Sequence, residues 1–217
     1  MSAVVKSLRF FPLALALFLV SCQPATVTEA AVRPGEVLYR DDFSAPAGGW
    51  TTGVSTAGTA AFYQGAFRIT VTVADYDLWS PSGHTFGDVR VEVDAGRLAG
   101  PVENRFGLVC RYRAPGDFYF FVISSDGYYG LGKASGGAVL LLGQEMMVYS
   151  PAIVTGVLPN HLRLDCVGDV LTAYVNGQPV AQARDGDYSG GDVGLLAGTF
   201  DQPGVDVIFD NFVVTAP

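Results

Sequence analysis

His161-Leu162-Arg163-Leu164-Asp165-Cys166 alternates apolar and polar residues along most of its length, and Leu171-Thr172-Ala173-Tyr174-Val175 repeats the pattern just before Asn176-Gly177. A period of two is the signature of a strand with one face in the core and one in water. Asn-Gly accepts the positive φ angles of a tight hairpin turn. The same alternation recurs in Phe67-Arg68-Ile69-Thr70-Val71-Thr72-Val73 and in Val89-Arg90-Val91-Glu92-Val93-Asp94. Further turn signals stand at Gln64-Gly65, Pro115-Gly116, Asp126-Gly127, Ser135-Gly136-Gly137 and Gln202-Pro203-Gly204. No segment between Gly35 and Pro217 sustains a helical period. Many short strands separated by such turns predict an all-β fold, an antiparallel β-sandwich of jelly-roll type.

The chain of 217 residues is 49% hydrophobic and only 16% charged, with 27 Gly and 12 Pro. That composition supports a packed, turn-rich domain and excludes a disordered chain. At the N-terminus Lys6 and Arg9 precede an apolar run from Phe10 to Val20, and Leu19-Val20-Ser21-Cys22 follows the pattern of a bacterial lipobox. The run is too short to span a bilayer as a mature helix, which fits a cleaved signal. The expected organisation is a lipoprotein signal peptide at 1–21, a lipidated tether at 22–35 beginning with Cys22, and the sandwich at 36–217. A plain secretory signal with a chance cysteine is the alternative. The expected location is the cell envelope, facing away from the cytoplasm, with membrane contact through the lipid only. A net charge of −8, with Lys133 the one lysine beyond the signal, offers no electrostatic footprint for nucleic acid.

Cys110 shares a strand face with Phe106 and Leu108, and Cys166 shares one with Leu162 and Leu164. Both thiols should point inward, and an even pair in an exported chain reads as a disulfide. Two free buried thiols are the alternative.

Tyr39-Arg40-Asp41-Asp42-Phe43, Gly107-Leu108-Val109-Cys110-Arg111-Tyr112, Leu162 through Asp169, Tyr174-Val175-Asn176-Gly177 and Phe209-Asp210-Asn211-Phe212 resemble the concanavalin-like lectin/glucanase sandwich. In particular they look like the bacterial domains known as family 16 glycoside hydrolase-like or 3-keto-disaccharide hydrolase-like. The resemblance covers about residues 36–215 and implies a fold more firmly than an activity. Glu92-Val93-Asp94 is similar to the start of the family 16 catalytic strand, Glu-x-Asp-x-x-Glu, but Arg97 occupies the third carboxylate position. Alternation with valines reads the pair as a solvated strand face, so no catalytic residue is assigned. Asp42 near the first strand and Asp210 on the last suggest a structural Ca2+ where the terminal strands pair. Solvated strand-end aspartates are the alternative. His84 and His161 lack a third zinc ligand, and no Gly-x-Ser-x-Gly elbow is present.

Hairpin phase supplies the candidate binding surface. A two-residue turn at Pro115-Gly116 sets Arg113 opposite Phe118, Tyr112 opposite Tyr119 and Arg111 opposite Phe120. A two-residue turn at Asp126-Gly127 sets Ser124 opposite Tyr129. Cys110, Tyr112, Tyr119, Phe121, Ile123 and Tyr128 would then face the core. Arg111, Arg113, Phe118, Phe120, Val122 and Tyr129 would face outward. Arginines among aromatics suit a sugar platform, with ring faces on CH groups and guanidinium donors on hydroxyls. Coverage of the rings by a loop is the alternative. Arg111, Arg113, Phe120, Tyr129 and Trp79, the last from a loop that could rim the face, are the expected ligand residues. The expected function is carbohydrate binding without catalysis. A glycan-processing enzyme and an envelope adhesion or protein-binding domain are the alternatives.

Overall fold

The computed structural model describes residues 32–46 and 48–217. The signal, Cys22 and most of the expected tether lie outside the described residues. Every regular element described is a strand: β1 Val37–Asp41, β2 Gly53–Ser55, β3 Gly58–Tyr63, β4 Ala66–Val71, β5 Asp77–Phe86, β6 Val89–Ala99, β7 Asn104–Ala114 and β8 Asp117–Ile123. There follow β9 Tyr128–Ser135, β10 Ala138–Leu141, β11 Val148–Tyr149, β12 Asn160–Val167, β13 Val170–Val175, β14 Gln178–Arg184, β15 Gly191–Thr199 and β16 Val205–Thr215. They form two antiparallel sheets. One is nine-stranded, in the order β14-β13-β12-β6-β16-β4-β3-β2 with β1 also on β16; the other is seven-stranded, β10-β9-β8-β7-β15-β5 with β11 also on β9. The fold is an antiparallel β-sandwich of jelly-roll type.

The alternating runs place their apolar residues between the sheets. Val89, Val91 and Val93 of β6 and Leu162, Leu164 and Cys166 of β12 meet Leu108 and Cys110 of β7 and Tyr119, Phe121 and Ile123 of β8 in one core. Cys110 and Cys166 form a disulfide across the sandwich, joining the sheets over a sequence separation of 56.

The outward residues of the nine-stranded sheet meet as polar partners. Asp94 stands opposite His161, Glu92 opposite Arg163 and Arg90 opposite Asp165. Neighbouring Arg163 stacks on the Tyr174 ring at 4.2 Å, and Arg68 pairs with Asp206. Opposite charges directly across a sheet stabilise it while keeping the face wet. The outward face of the seven-stranded sheet is different. Val109, Phe118, Phe120, Val122, Ala134 and Leu196 are buried there as a second, smaller apolar cluster.

Two turns depart from the expected geometry. At Pro115-Gly116 the tight turn forms, with Ala114 opposite Asp117, but β7 then bulges: Cys110 lies opposite Tyr119, leaving residues 111–113 against Phe118 alone. The slip below the bulge is two residues, so Cys110 and Phe121 keep their inward phase. Within the bulge Arg111 adopts φ 52° and turns inward, whereas Tyr112 turns outward. At Asp126-Gly127 the loop holds three residues. The Ser124 N–H donates to the Tyr128 carbonyl, and Ile123 rather than Ser124 faces Tyr129. A one-residue slip exchanges the faces of a strand. Tyr129 therefore packs against the main core, and Tyr128 is exposed.

Candidate ligand-binding site

The outward face of the seven-stranded sheet carries an open pocket of about 410 Å³. Its construction follows from where glycine alternates with large residues. On β9, Gly130 and Gly132 lie opposite Val122 and Phe120 of β8. A Cβ on Gly132 would stand 2.5 Å from the Phe120 ring, so only glycine lets that ring lie down on the sheet. Phe118, Phe120, Val122 and Leu196 form the floor, while Val139, Leu141 and Met147 rise from β10 and the following loop as a wall. Trp79 of β5 extends the aromatic surface, its ring 5.5 Å from that of Phe118, and Tyr112 stacks on Phe118 from the other side at 5.8 Å.

One end of the pocket is polar. Asp77 on β5 and Arg105 on β7 are separated by Gly198 of β15, which pairs with both. A Cβ on Gly198 would fall 1.8 Å from the Asp77 carboxylate, so the missing side chain is what lets the two meet. Arg105 Nε donates to Asp77 Oδ1, and its guanidinium lies over the Phe200 ring at 4.5 Å. Burial raises the Asp77 carboxyl above its usual range, and the Arg105 hydrogen bond acts against that rise. Asp75 reaches the same end with its side chain 88% exposed, 4.0 Å from Arg105. It sits at φ 52°, a left-handed conformation that Asp tolerates better than most residues, and its N–H donates to the Phe200 carbonyl.

Of the five expected ligand residues, Phe120 lies in the pocket floor and Trp79 packs beside it. Arg111 does not belong to this face. It is 1% exposed, and its guanidinium donates to the Gly168 and Tyr188 carbonyls at 2.7 Å and to Asp88 at 3.0 Å. The bulge that inverts it is the reason. Arg113 is exposed and projects over the Tyr188 ring at 5.9 Å. Tyr129 is on the core side, reversed by the three-residue loop. Asp75, Asp77, Arg105, Phe200, Leu141 and Met147 were not singled out from the sequence. Gly130-x-Gly132-x-Ala134 opposite Phe118-x-Phe120-x-Val122 was the available signal, small residues facing large ones in phase.

The remaining candidates are placed as follows. Asp42 is exposed, and the Ser44 hydroxyl and N–H hold its carboxyl below the usual range. Asp210 accepts the Asn211 N–H at 2.7 Å. No group of three or more His, Cys, Asp or Glu that could hold a metal forms among the described residues. Glu92 and Asp94 lie on the outward face of the other sheet. His161 Nδ1 is 2.8 Å from Asp94 and its Nε2 3.7 Å from Glu92, while Asn211 donates to Asp94 at 2.9 Å.

With this architecture the chain shares its antiparallel β-sandwich fold with several solved structures. It is similar to the carbohydrate-binding module CBM66 from Bacillus subtilis, at TM-score 0.62 and 22% identity, over 77% of this chain and 96% of that one. A Bacillus subtilis protein of unknown function with a galectin-like fold aligns at TM-score 0.60 and 14% identity, over 85% and 98% of the two chains. The Bacillus licheniformis beta-glucanase aligns at TM-score 0.59 and 14% identity, over 85% and 100%. No protein-family model matches the sequence, and no curated protein matches it significantly.

Proposed function

We propose that this protein is an exported, lipid-anchored glycan-binding module whose site is the pocket on the seven-stranded sheet. The observation that carries the reading is that pocket itself: an aromatic and aliphatic floor closed at one end by fixed polar groups. Sugar rings present CH faces to such a floor and hydroxyls to such an end. A carbohydrate-binding module among the similar structures favours the same reading. A noncatalytic role is favoured by the carboxylates present. Glycoside hydrolysis needs one carboxyl group as acid and another as base or nucleophile across one bond. In the main pocket Arg105 engages Asp77 and also stands 4.0 Å from Asp75, so both carboxylates face the same cation rather than a scissile bond. Export is supported by the Lys6-to-Cys22 pattern and by the Cys110–Cys166 disulfide, which suits an oxidising compartment.

The test is calorimetric titration of the fragment from residue 32 onward against an oligosaccharide panel, with Phe120→Leu and Met147→Ala. Each variant is expected to weaken binding about tenfold, the scale of one lost ring or side-chain contact, with thermal melting of Met147→Ala unchanged. Equal affinity in wild type and both variants would remove the pocket from the account. Anchoring has its own test: Cys22→Ala should release the full-length protein from the membrane fraction, and retention would refute lipidation.

A second reading, glycan processing, is favoured by one observation, the grouping of Glu92, Asp94 and His161 on the nine-stranded sheet. Hydrolysis of any glycan that is lost in Glu92→Gln would establish it in place of the first.

A further inference from the structure

The charge lining this pocket says which glycans it takes. Among the described residues, Asp75, Asp77 and Arg105 are the charged ones lining the main pocket. A shallower depression continues from it, sharing Met147 and Phe200, and brings Glu103 and Asp126 to the same groove. Four carboxylates thus line a path that holds a single guanidinium. That guanidinium is already matched: its Nε faces Asp77, its Nη2 lies toward Asp75, and its plane rests on Phe200. Arg105 therefore has little attraction left for an anionic ligand. Asp75 and Glu103 are exposed, and among the described residues neither accepts a side-chain hydrogen bond, Asp75 having Arg105 4.0 Å away. The Asp75 backbone is held at this end of the pocket by its N–H bond to the Phe200 carbonyl.

Resting on the glycan-binding reading above, we propose that the groove selects glycans bearing free amino groups, hexosamine chains without their N-acetyl caps. The apolar floor would hold a ring face while ammonium groups meet Asp75 and Glu103. Uronic acid and sulfated glycans would meet the same carboxylates and be repelled. Exposed ion pairs are individually weak, so the expected preference is modest and salt-sensitive.

The experiment compares four probes by calorimetry: a glucosamine oligomer, the matching N-acetylglucosamine oligomer, an oligogalacturonate, and an oligolysine of equal charge. The glucosamine oligomer is expected to bind about fivefold tighter than its acetylated counterpart at low salt, with the oligogalacturonate weakest. High salt should erase the preference, and the double variant Asp75→Asn with Glu103→Gln should bring the two glucosamine-based oligomers to equal affinity. If the acetylated oligomer binds equally well or the oligogalacturonate binds tightest, charge selection is refuted and glycan binding stands. Oligolysine binding as tightly as the glucosamine oligomer would show an unspecific acidic surface and overturn the proposal. Failure of every oligosaccharide to bind would sink the glycan reading together with it.

Discussion

Arg111 Nη2 donates to Asp88 Oδ1 at 3.0 Å, and the same carboxylate oxygen accepts the Gly168 N–H at 2.9 Å. One buried guanidinium thus ties three turns of chain together: the Gly87-Asp88 turn between β5 and β6, the Gly168 hairpin between β12 and β13, and the segment ending at Tyr188. An arginine that looks like a ligand donor in the sequence is a cross-link in the fold. Arg111→Met should therefore cost about 3 kcal/mol of stability, because it leaves the buried Tyr188 carbonyl and the part-buried Gly168 carbonyl without their donor. Asp88→Asn, at a half-exposed side chain, should cost about 1 kcal/mol. Chemical denaturation reads both. A larger loss in Asp88→Asn than in Arg111→Met would contradict this assignment.

Reduction of the Cys110–Cys166 bond should destabilise the domain by about 4 kcal/mol, the chain-entropy value for a loop of this length. The double variant Cys110→Ala with Cys166→Ala should show the same deficit in denaturation. A loss that appears only on reduction, and not in the double variant, would point to something other than the cross-link.

Gly198→Ala places a methyl group where the Asp77 carboxylate lies. The expected cost is about 2 kcal/mol, from a strained contact and a displaced ion pair. Glycan affinity should fall with it, since Arg105 and Asp77 shape the pocket's polar end. Alanine at Gly65, which meets no atom within 4 Å but lies at φ 79°, should disturb stability without touching affinity. Calorimetry of the two variants side by side separates the effects.

Alkaline pH should loosen the fold in a defined window. Burial, with Asp185 and Asp41 nearby, pushes the phenols of Tyr119 and Tyr39 up to about 12 from the ordinary 10.0. Both keep their protons in the folded state where the unfolded chain has lost them. Stability is then complete below pH 10 and drains away as pH climbs toward 12. Thermal melts across that range should show the decline, and Tyr119→Phe should make it shallower. An identical slope in the variant would remove Tyr119 from the account.

The sandwich was legible because alternation fixes which residues enter the core whatever the exact pairing. An even cysteine pair in an expected export context, with both residues in inward phase, points to the Cys110–Cys166 bond, and the two-residue slip in β7 left that phase intact. The site was harder, because it depends on register at two turns. Arg111 and Tyr129 each changed sides: one through a left-handed residue in a bulge, the other through a loop one residue longer than expected. Neither departure changes composition or period, so neither leaves a mark in a single sequence. Phe120 keeps its outward face because the slip against β7 is two residues and β8 itself carries no bulge, while Trp79, expected in a loop, lies in β5 beside that face. Arg105 and Asp77 come from strands two apart, brought together only by the gap at Gly198.

The most direct test of the glycan pocket is a methyl-labelled NMR titration with neutral and amino oligosaccharides. The account predicts that the methyl signals of Val122, Leu141, Met147 and Leu196 move on addition, while those of Val91 and Leu164 in the interior do not. Movement centred instead on residues flanking Glu92, Asp94 and His161, or none anywhere, would contradict it.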